Sequence, residues 1–226
     1  MSTPASHPVV HPGAGGSVNP HVAHQFDDAA QQHHAASLGM WLFLATEVLV
    51  FAGLFTGYIV FRSLYPHAFA ETGRHLYKWI GVTNAAVLLL SSAAMAMGVE
   101  TPAQAQRVKS SWMLGTVGLA LLFVGLKAIE YTLDVRESLL PVIRFDPTPF
   151  SEPAHSQLFL VFYWVMTGLH AFHVIGGILV ILFLALRVRS AAQPERLTNA
   201  VIVVGLYWHF VDIVWLFLLP LLYLNP

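Results

Sequence analysis

The chain has 226 residues, of which 56% are hydrophobic and only 10% are charged, and its formal net charge is -1. A mean hydropathy of +0.64 with so little charge indicates a membrane protein, because a soluble domain of this length needs a more charged surface. The chain contains no cysteine, which excludes disulfides, thiolate metal sites, iron–sulfur clusters and cysteine nucleophiles.

Residues 1–37 form a leader rich in His, Pro and Gly. It lacks the basic start and short apolar core of a signal peptide, since the first long apolar run begins at Leu38, so we expect it to be retained and flexible. Its histidines invite a metal-site interpretation, but their spacing matches no standard zinc finger or zincin, and we favour solvated side chains. These residues are His7, His11, His21, His24, His33 and His34.

Five apolar segments follow the leader, separated by polar connections that contain the turn residues and nearly all the Arg and Lys. Each segment is long enough to cross a hydrocarbon core of about 30 Å at about 1.5 Å per helical residue. We therefore predict an all-α, polytopic membrane domain over residues 38–226, built from helices and not from barrel strands. An odd number of spans places the two termini on opposite sides of the membrane. The predicted spans are about 38–62, 79–99, 112–133, 157–186 and 201–224.

Ionisable residues lie near the middle of three of these spans, where a charge is costly and a functional role is the default hypothesis. Glu47 lies near the centre of the first span. His170 and His173 share a face of the fourth span, and His209 and Asp212 share a face of the fifth, because each pair is three residues apart. These residues predict either a proton-responsive carboxylate–imidazole network or interhelical hydrogen bonds that fix packing, and both interpretations stay open.

Histidines at this depth also raise the question of haem. Two histidines on adjacent turns of one helix, such as His170 and His173, cannot hold opposite faces of one macrocycle. The first span, moreover, supplies a glutamate in place of a second histidine pair. A metal site that combines these histidines with His209 and Asp212 is chemically possible, but nothing in the spacing requires it. We assign no catalytic residue and no metal ligand to this chain.

Lys127 and Glu130 lie three residues apart toward the end of the third span. Long side chains near a helix end can extend to the lipid headgroups. We therefore predict that these two residues form an ion pair at the membrane interface.

Four stretches of the chain resemble, in order and spacing, subunit III of the haem–copper oxygen reductases in its bacterial five-helix form. The resemblance covers roughly residues 30–226 and does not include the His-rich leader. The four stretches are LGMWLFLATEVLVFAGLF, GLKAIEY, TGLHAFHVIGG and YWHFVDIVWLFLLPLLY, which begin at Leu38, Gly125, Thr167 and Tyr207.

The resemblance implies a five-helix bundle with no haem or copper of its own, packed against the catalytic subunit I. A cleft between the first two helices and the last three would hold structural phospholipid. The implied role is to stabilise subunit I and to sustain proton uptake, with Glu47 as the membrane carboxylate of the family. The remaining polar positions of the family's motifs match Glu130, His170, His173, His209 and Asp212.

The implied complex is a proton-pumping terminal oxidase of aerobic respiration that transfers electrons from cytochrome c to oxygen. Haem and copper belong to partner subunits, and the partners are subunit I, subunit II and a small subunit IV, with no nucleic acid. The resemblance also places the chain in the bacterial cytoplasmic membrane, with its amino terminus in the cytoplasm and its carboxyl terminus in the periplasm. Charge does not decide this orientation, because five basic residues of the connections fall on each side. We further expect Arg62, Lys78 and Arg187 to pair with lipid phosphates.

Two other functions stay open. The first is subunit III of a ubiquinol oxidase or of a nitric oxide reductase-associated homologue. The second is a free-standing proton-coupled transporter that uses Glu47 and the imidazoles, although the paired Gly- or Pro-interrupted spans and repeat halves typical of such carriers are missing from the sequence. An oxidase subunit should copurify with haem-bearing partners, whereas a transporter should not.

Overall fold

A computed structural model describes residues 29–224, and the side chains of the leader histidines lie outside the described part of the chain. Six α-helices build this part of the fold, and five of them are long and apolar enough to cross a membrane. The helices are α1 (Ala29–Leu64), α2 (Pro66–Gly73), α3 (Lys78–Glu100), α4 (Gln106–Arg136), α5 (Pro153–Ser190) and α6 (Thr198–Leu219).

The all-α fold is confirmed, and each of the five predicted spans coincides with a helix long and apolar enough to cross a membrane. Helices α1, α3, α4 and α5 continue past both ends of their apolar runs, whereas α6 ends at Leu219, before the predicted end of the last span. Helix α5 has 38 residues, or about 57 Å of helix, so its ends extend beyond a hydrocarbon core of about 30 Å. It begins at Pro153, and a proline in the first turn costs no helical hydrogen bond. After α6 the chain continues from Pro220 to Leu224 as a π-helical turn.

Two elements outside the spans at one end of the bundle are absent from the sequence prediction. One is α2, and the other is an antiparallel hairpin of β1 (Leu139–Leu140) and β2 (Arg144–Phe145), with Leu139 opposite Phe145. Both lie at the end of the bundle where α1 and α4 finish and α3 and α5 begin. Glu71 of α2 accepts hydrogen bonds from the backbone nitrogen and the hydroxyl of Ser151, at 3.1 and 2.6 Å, and so ties α2 to the segment that leads into α5.

The core of the domain lies among α3, α4, α5 and α6, and α1 packs less extensively against α5 and α6. Only 11% of the most apolar window of α1 is buried, against 33% to 44% for the other four spans. The resemblance implies a division between the first two spans and the last three. The bundle does not divide there, because α3 packs along α4 and α6. Instead, an apolar groove of about 390 Å³ lies between α1 and α6, where Phe51, Phe55, Phe210 and Phe217 line it.

Candidate functional site in the membrane bundle

A carboxylate and an imidazole meet between α1 and α5. The Oε2 atom of Glu47 lies 2.9 Å from Nε2 of His173. On the other side of the imidazole ring, Nδ1 of His173 lies 2.8 Å from the carbonyl oxygen of Leu169. Because a carbonyl oxygen only accepts hydrogen bonds, Nδ1 carries a proton and donates it to this oxygen. When the imidazole is neutral, Nε2 therefore accepts a hydrogen bond from a protonated Glu47. When the imidazole is charged, Nε2 donates a hydrogen bond to the Glu47 carboxylate.

The sequence of α1 explains why Glu47 points toward α5. Leu44, Phe51 and Tyr58 are the well-buried side chains of this helix, and their spacing of seven residues forms one stripe. Glu47 lies on the same stripe, between Leu44 and Phe51. The ring of Phe51 lies 5.5 Å from that of His173 and also lines the apolar groove, so the Glu47–His173 pair lies beside this groove. Its side chains are 18% and 11% exposed, so the pair is not sealed from its surroundings.

The other predicted midplane residues do not join this pair in one network. Nδ1 of His209 lies 2.6 Å from the hydroxyl of Ser92 on α3. His170 is buried against the rings of Phe123 and Trp215, with centroids 5.6 and 5.1 Å away, and its ring nitrogens have no hydrogen-bond partner among the described residues. The same holds for the carboxylate oxygens of Asp212 within the described part of the chain.

Helical geometry accounts for the separation of His170 from His173. Three residues along an α-helix correspond to a rotation of about 300°, which leaves the two side chains about 60° apart around the axis. On a helix with neighbours on several sides, that angle directs His170 toward α4 and α6 and His173 toward α1. No cluster of three or more His, Asp or Glu side chains that could hold a metal ion occurs among the residues that the structure describes.

The predicted ion pair between Lys127 and Glu130 forms, with 2.9 Å between Nζ and Oε2, and it lies inside the bundle and not on its surface. The two residues are 2% and 0% exposed. Nζ also donates to the hydroxyls of Tyr163 and Tyr223, at 3.1 and 2.8 Å. Because Glu130 and the two hydroxyls together accept all three ammonium protons, the ammonium stays inside the bundle.

Sequence reasoning missed three members of this buried group, namely Asp134, Tyr163 and Tyr223. The hydroxyl of Tyr163 lies 2.8 Å from Oδ2 of Asp134, which is itself buried. The available signal was the spacing along α4, because residues 127, 130 and 134 lie on one face of a helix. The two tyrosines come from distant segments, and nothing local marks them as partners of this face.

The three expected lipid-pairing cations lie at the two ends of the bundle. Arg62 and Lys78 are at the end where α1 finishes and α3 begins, and Nη1 of Arg62 lies 3.4 Å from the carbonyl oxygen of Leu221. Arg187 is exposed in the last turns of α5, with its guanidinium 5.0 Å from the centre of the Phe183 ring. All three are near helix ends, as the sequence prediction requires.

The chain matches known proteins along almost its whole length. The family model described as cytochrome c oxidase subunit III matches residues 22–225. The probable cytochrome c oxidase subunit 3 of Nocardia farcinica is 32% identical over 188 residues, which cover 83% of this chain and 86% of that protein. The cytochrome c oxidase subunit 3 of Synechocystis sp. is 30% identical over 201 residues, which cover 86% of this chain and 79% of that protein.

A further relative has a composite name. The heme-copper oxidase subunit I+III of Aeropyrum pernix is 27% identical over 198 residues, which cover 82% of this chain and 22% of that longer protein. The family match and the five spanning helices lead to one conclusion. This chain is a multi-pass membrane protein that belongs to the cytochrome c oxidase subunit III family.

Proposed function

We propose that this chain is the accessory subunit III of a proton-pumping haem–copper terminal oxidase, which transfers electrons from cytochrome c to oxygen in aerobic respiration. In this role it stabilises subunit I and supports proton uptake, while partner subunits hold the haem and copper. The family match supports the assignment to an oxidase and disfavours a free-standing transporter.

The Glu47–His173 pair is the observation that carries the proton-related part of this proposal. A proton can pass between Oε2 of Glu47 and Nε2 of His173 across 2.9 Å without any change in the net charge of the pair. Such a transfer costs less in a membrane than the creation of one isolated charge. Because both side chains remain partly exposed, the pair can exchange its proton with a neighbouring subunit or with water.

The proposed contact with subunit I rests on two observations. The Aeropyrum pernix relative is named as a single protein that combines subunits I and III. In the present chain, α1 leaves most of its apolar surface exposed, including Leu38, Leu42 and Leu49. We assign this surface to subunit I and to lipid, and we include subunit II and a small subunit IV among the partners of the complex.

The proposed lipid site is the apolar groove between α1 and α6, whose aromatic walls can cover an acyl chain. Arg62, Lys78 and Arg187 are the proposed partners of phosphate groups at the two ends of the bundle. The proposed location is the cytoplasmic membrane of a bacterium, with the amino terminus in the cytoplasm and the carboxyl terminus in the periplasm.

Purification of the complex by an affinity tag on this chain tests the proposal. We expect haem absorption and subunit I to copurify with the tag, and we expect oxygen uptake with reduced cytochrome c to exceed that with a quinol. Isolation of the chain without haem would favour the transporter, and a preference for quinol would assign it to a ubiquinol oxidase.

Removal of this subunit from the complex tests the accessory role. It should preserve the initial rate of oxygen uptake and shorten the active lifetime of the complex, so an unchanged lifetime would contradict the accessory role.

A further inference from the structure

A second cluster of ionisable side chains lies inside the bundle, apart from the Glu47–His173 pair. Helix α4 carries Lys127, Glu130 and Asp134 on one face, and all three residues are buried. Tyr163 of α5 and Tyr223 of the π-helical turn after α6 close this face. We call these five residues the α4 cluster.

The ammonium of Lys127 forms an ion pair with one carboxylate of the α4 cluster, that of Glu130. The three protons of Lys127 point to Oε2 of Glu130 and to the two tyrosine hydroxyls. The hydroxyl of Tyr223 in turn donates to Oε1 of Glu130 at 2.7 Å. Lys127 and Glu130 therefore neutralise each other, and the ammonium makes no hydrogen bond to Asp134.

Asp134 has a different environment. Its Oδ2 lies 2.8 Å from the hydroxyl of Tyr163, and its Oδ1 has no hydrogen-bond partner among the described residues. The same hydroxyl lies 3.1 Å from Oε1 of Glu130, although it has only one proton to donate. If Asp134 were ionised, that proton would have to serve two carboxylates, and a second buried negative charge would lie beside Glu130 with no cation in contact.

A proton on Asp134 removes this conflict. The carboxyl O–H of Asp134 then donates to the hydroxyl oxygen of Tyr163, and Tyr163 donates its own proton to Glu130. The hydroxyl oxygen of Tyr163 accepts from Lys127 and Asp134, which uses both of its lone pairs. A neutral carboxyl also leaves the unpaired Oδ1 as a carbonyl oxygen, which is less costly to bury than a carboxylate oxygen.

We infer that the α4 cluster is a proton-binding site, in which Asp134 holds one proton that the Tyr163 hydroxyl links to Glu130. When the proton moves, the O–H bond of Asp134 breaks and its proton forms a new O–H bond on the hydroxyl oxygen of Tyr163. At the same time the original O–H bond of Tyr163 breaks, and that proton forms a new O–H bond on Oε1 of Glu130. Asp134 becomes the carboxylate, Glu130 becomes the acid, and the net charge of the cluster stays the same. Tyr163 and His173 are ten residues apart on α5, or about 15 Å along the axis, so this site is separate from the Glu47–His173 pair.

Infrared spectroscopy of the assembled complex tests this inference, with aspartate isotopically labelled at its side-chain carboxyl carbon. At neutral pH we expect a C=O band of a protonated carboxyl that moves with the label. The part of this band that Asp134→Asn removes should remain in the matched variant Asp212→Asn, which removes only the contribution of Asp212. The other titratable residues around Asp134 must be the same in wild type, Asp134→Asn and Asp212→Asn. These are Lys127, Glu130 and Tyr131 on α4, Glu137 just after α4, Tyr77 before α3, Tyr163 on α5, and Tyr223 after α6.

A second variant keeps the test decisive if Asp134→Asn fails to assemble. Tyr163→Phe removes the acceptor of the Asp134 proton, so the labelled C=O band should shift to higher frequency. Wild-type complex without a labelled band from a protonated carboxyl would overturn the inference. A labelled band that Asp134→Asn and Tyr163→Phe both leave unchanged would overturn it as well.

Discussion

The imidazole of His173 joins the carboxyl of Glu47 across two helices, 2.9 Å apart in space and 126 residues apart in sequence. The carbonyl oxygen of Leu169, one turn earlier on α5, holds Nδ1 of the same ring. This second bond orients the ring so that Nε2 is directed at Glu47. The pair thus links the least buried span, α1, to the core of the bundle through a polar contact.

Substitution of Glu47 by Gln tests the role of this contact. Gln retains the shape and can still hydrogen-bond Nε2 of His173, so we expect normal assembly and an initial rate of oxygen uptake close to that of wild type. Because Gln cannot exchange a proton at that site, we expect slower proton uptake or a shorter active lifetime during sustained turnover. An oxygen electrode that follows the reaction to inactivation measures both quantities.

Substitution of His173 by Gln is the matched variant, because it alters the same hydrogen bond from the other side. We expect the same shortened lifetime. If Glu47→Gln abolished oxygen reduction in an assembled complex with its full haem content, the accessory role would have to be abandoned.

Loss of one partner of the buried Lys127–Glu130 pair should destabilise the bundle. Lys127→Met leaves the Glu130 carboxylate buried without its cation, and such a change typically costs about 3–5 kcal/mol. The double variant Lys127→Met with Glu130→Gln removes both charges, so we expect it to be more stable than Lys127→Met alone. Thermal unfolding of the purified protein in detergent measures the difference, and a double variant less stable than Lys127→Met would contradict a mutually compensating pair.

A methyl group at Gly177 should be poorly tolerated, because α5 and α6 approach closely there. An added Cβ would lie 2.8 Å from Cζ3 of Trp208, whose ring is fully buried and cannot move aside. We expect Gly177→Ala to cost about 1–3 kcal/mol of stability through overpacking. Gly168→Ala on the same helix is the control, since an added Cβ there meets nothing within 4 Å. Equal unfolding temperatures for the two variants would contradict the close approach.

The contact between α2 and the segment before α5 should weaken in acid. The hydroxyl and backbone N–H of Ser151 donate to Glu71 and lower the pKa of that carboxyl below its ordinary value of 4.5. Because the folded-state pKa is depressed, the contact stabilises the fold above the ordinary value and is lost as pH falls through the folded pKa.

An NMR titration of the Glu71 carboxyl in detergent micelles tests this contact. We expect Ser151→Ala to raise the pKa of Glu71 toward 4.5. Thr148→Ala is the control, because the hydroxyl of Thr148 hydrogen-bonds Asp146 and not Glu71. An unchanged pKa of Glu71 in Ser151→Ala would show that the bond is absent in solution.

A bulky side chain in the groove between α1 and α6 should displace lipid. Ala52 lines this groove, so Ala52→Trp would fill part of its volume of about 390 Å³. We expect the variant complex to retain less phospholipid after purification, as measured by mass spectrometry of extracted lipid. Val165→Trp, on an exposed apolar position of α5 outside the groove lining, should leave the lipid content unchanged. Equal lipid content in both variants would argue against an acyl chain in the groove.

The number and type of the spanning segments were predictable from the sequence, because hydrophobic length is a local property of each segment. Glu47 could be identified as a functional candidate for a similar reason, since a carboxylate inside an apolar run is recognisable without knowledge of its neighbours. Helix α2 and the hairpin at Leu139–Phe145 were not predicted, because they are short and depend on contacts at the end of the bundle. The hydrogen bonds from Ser151 to Glu71 are an example of such contacts.

The tertiary structure alone decided which polar residues meet. Sequence spacing placed His170 and His173 on one face, yet only His173 contacts Glu47, while His170 packs against Phe123 and Trp215. Lys127 likewise turned inward because Tyr163 and Tyr223 supply its acceptors from other segments. The rotation of each helix about its axis depends on side-chain packing against helices from distant parts of the chain, so it cannot be obtained from local periodicity.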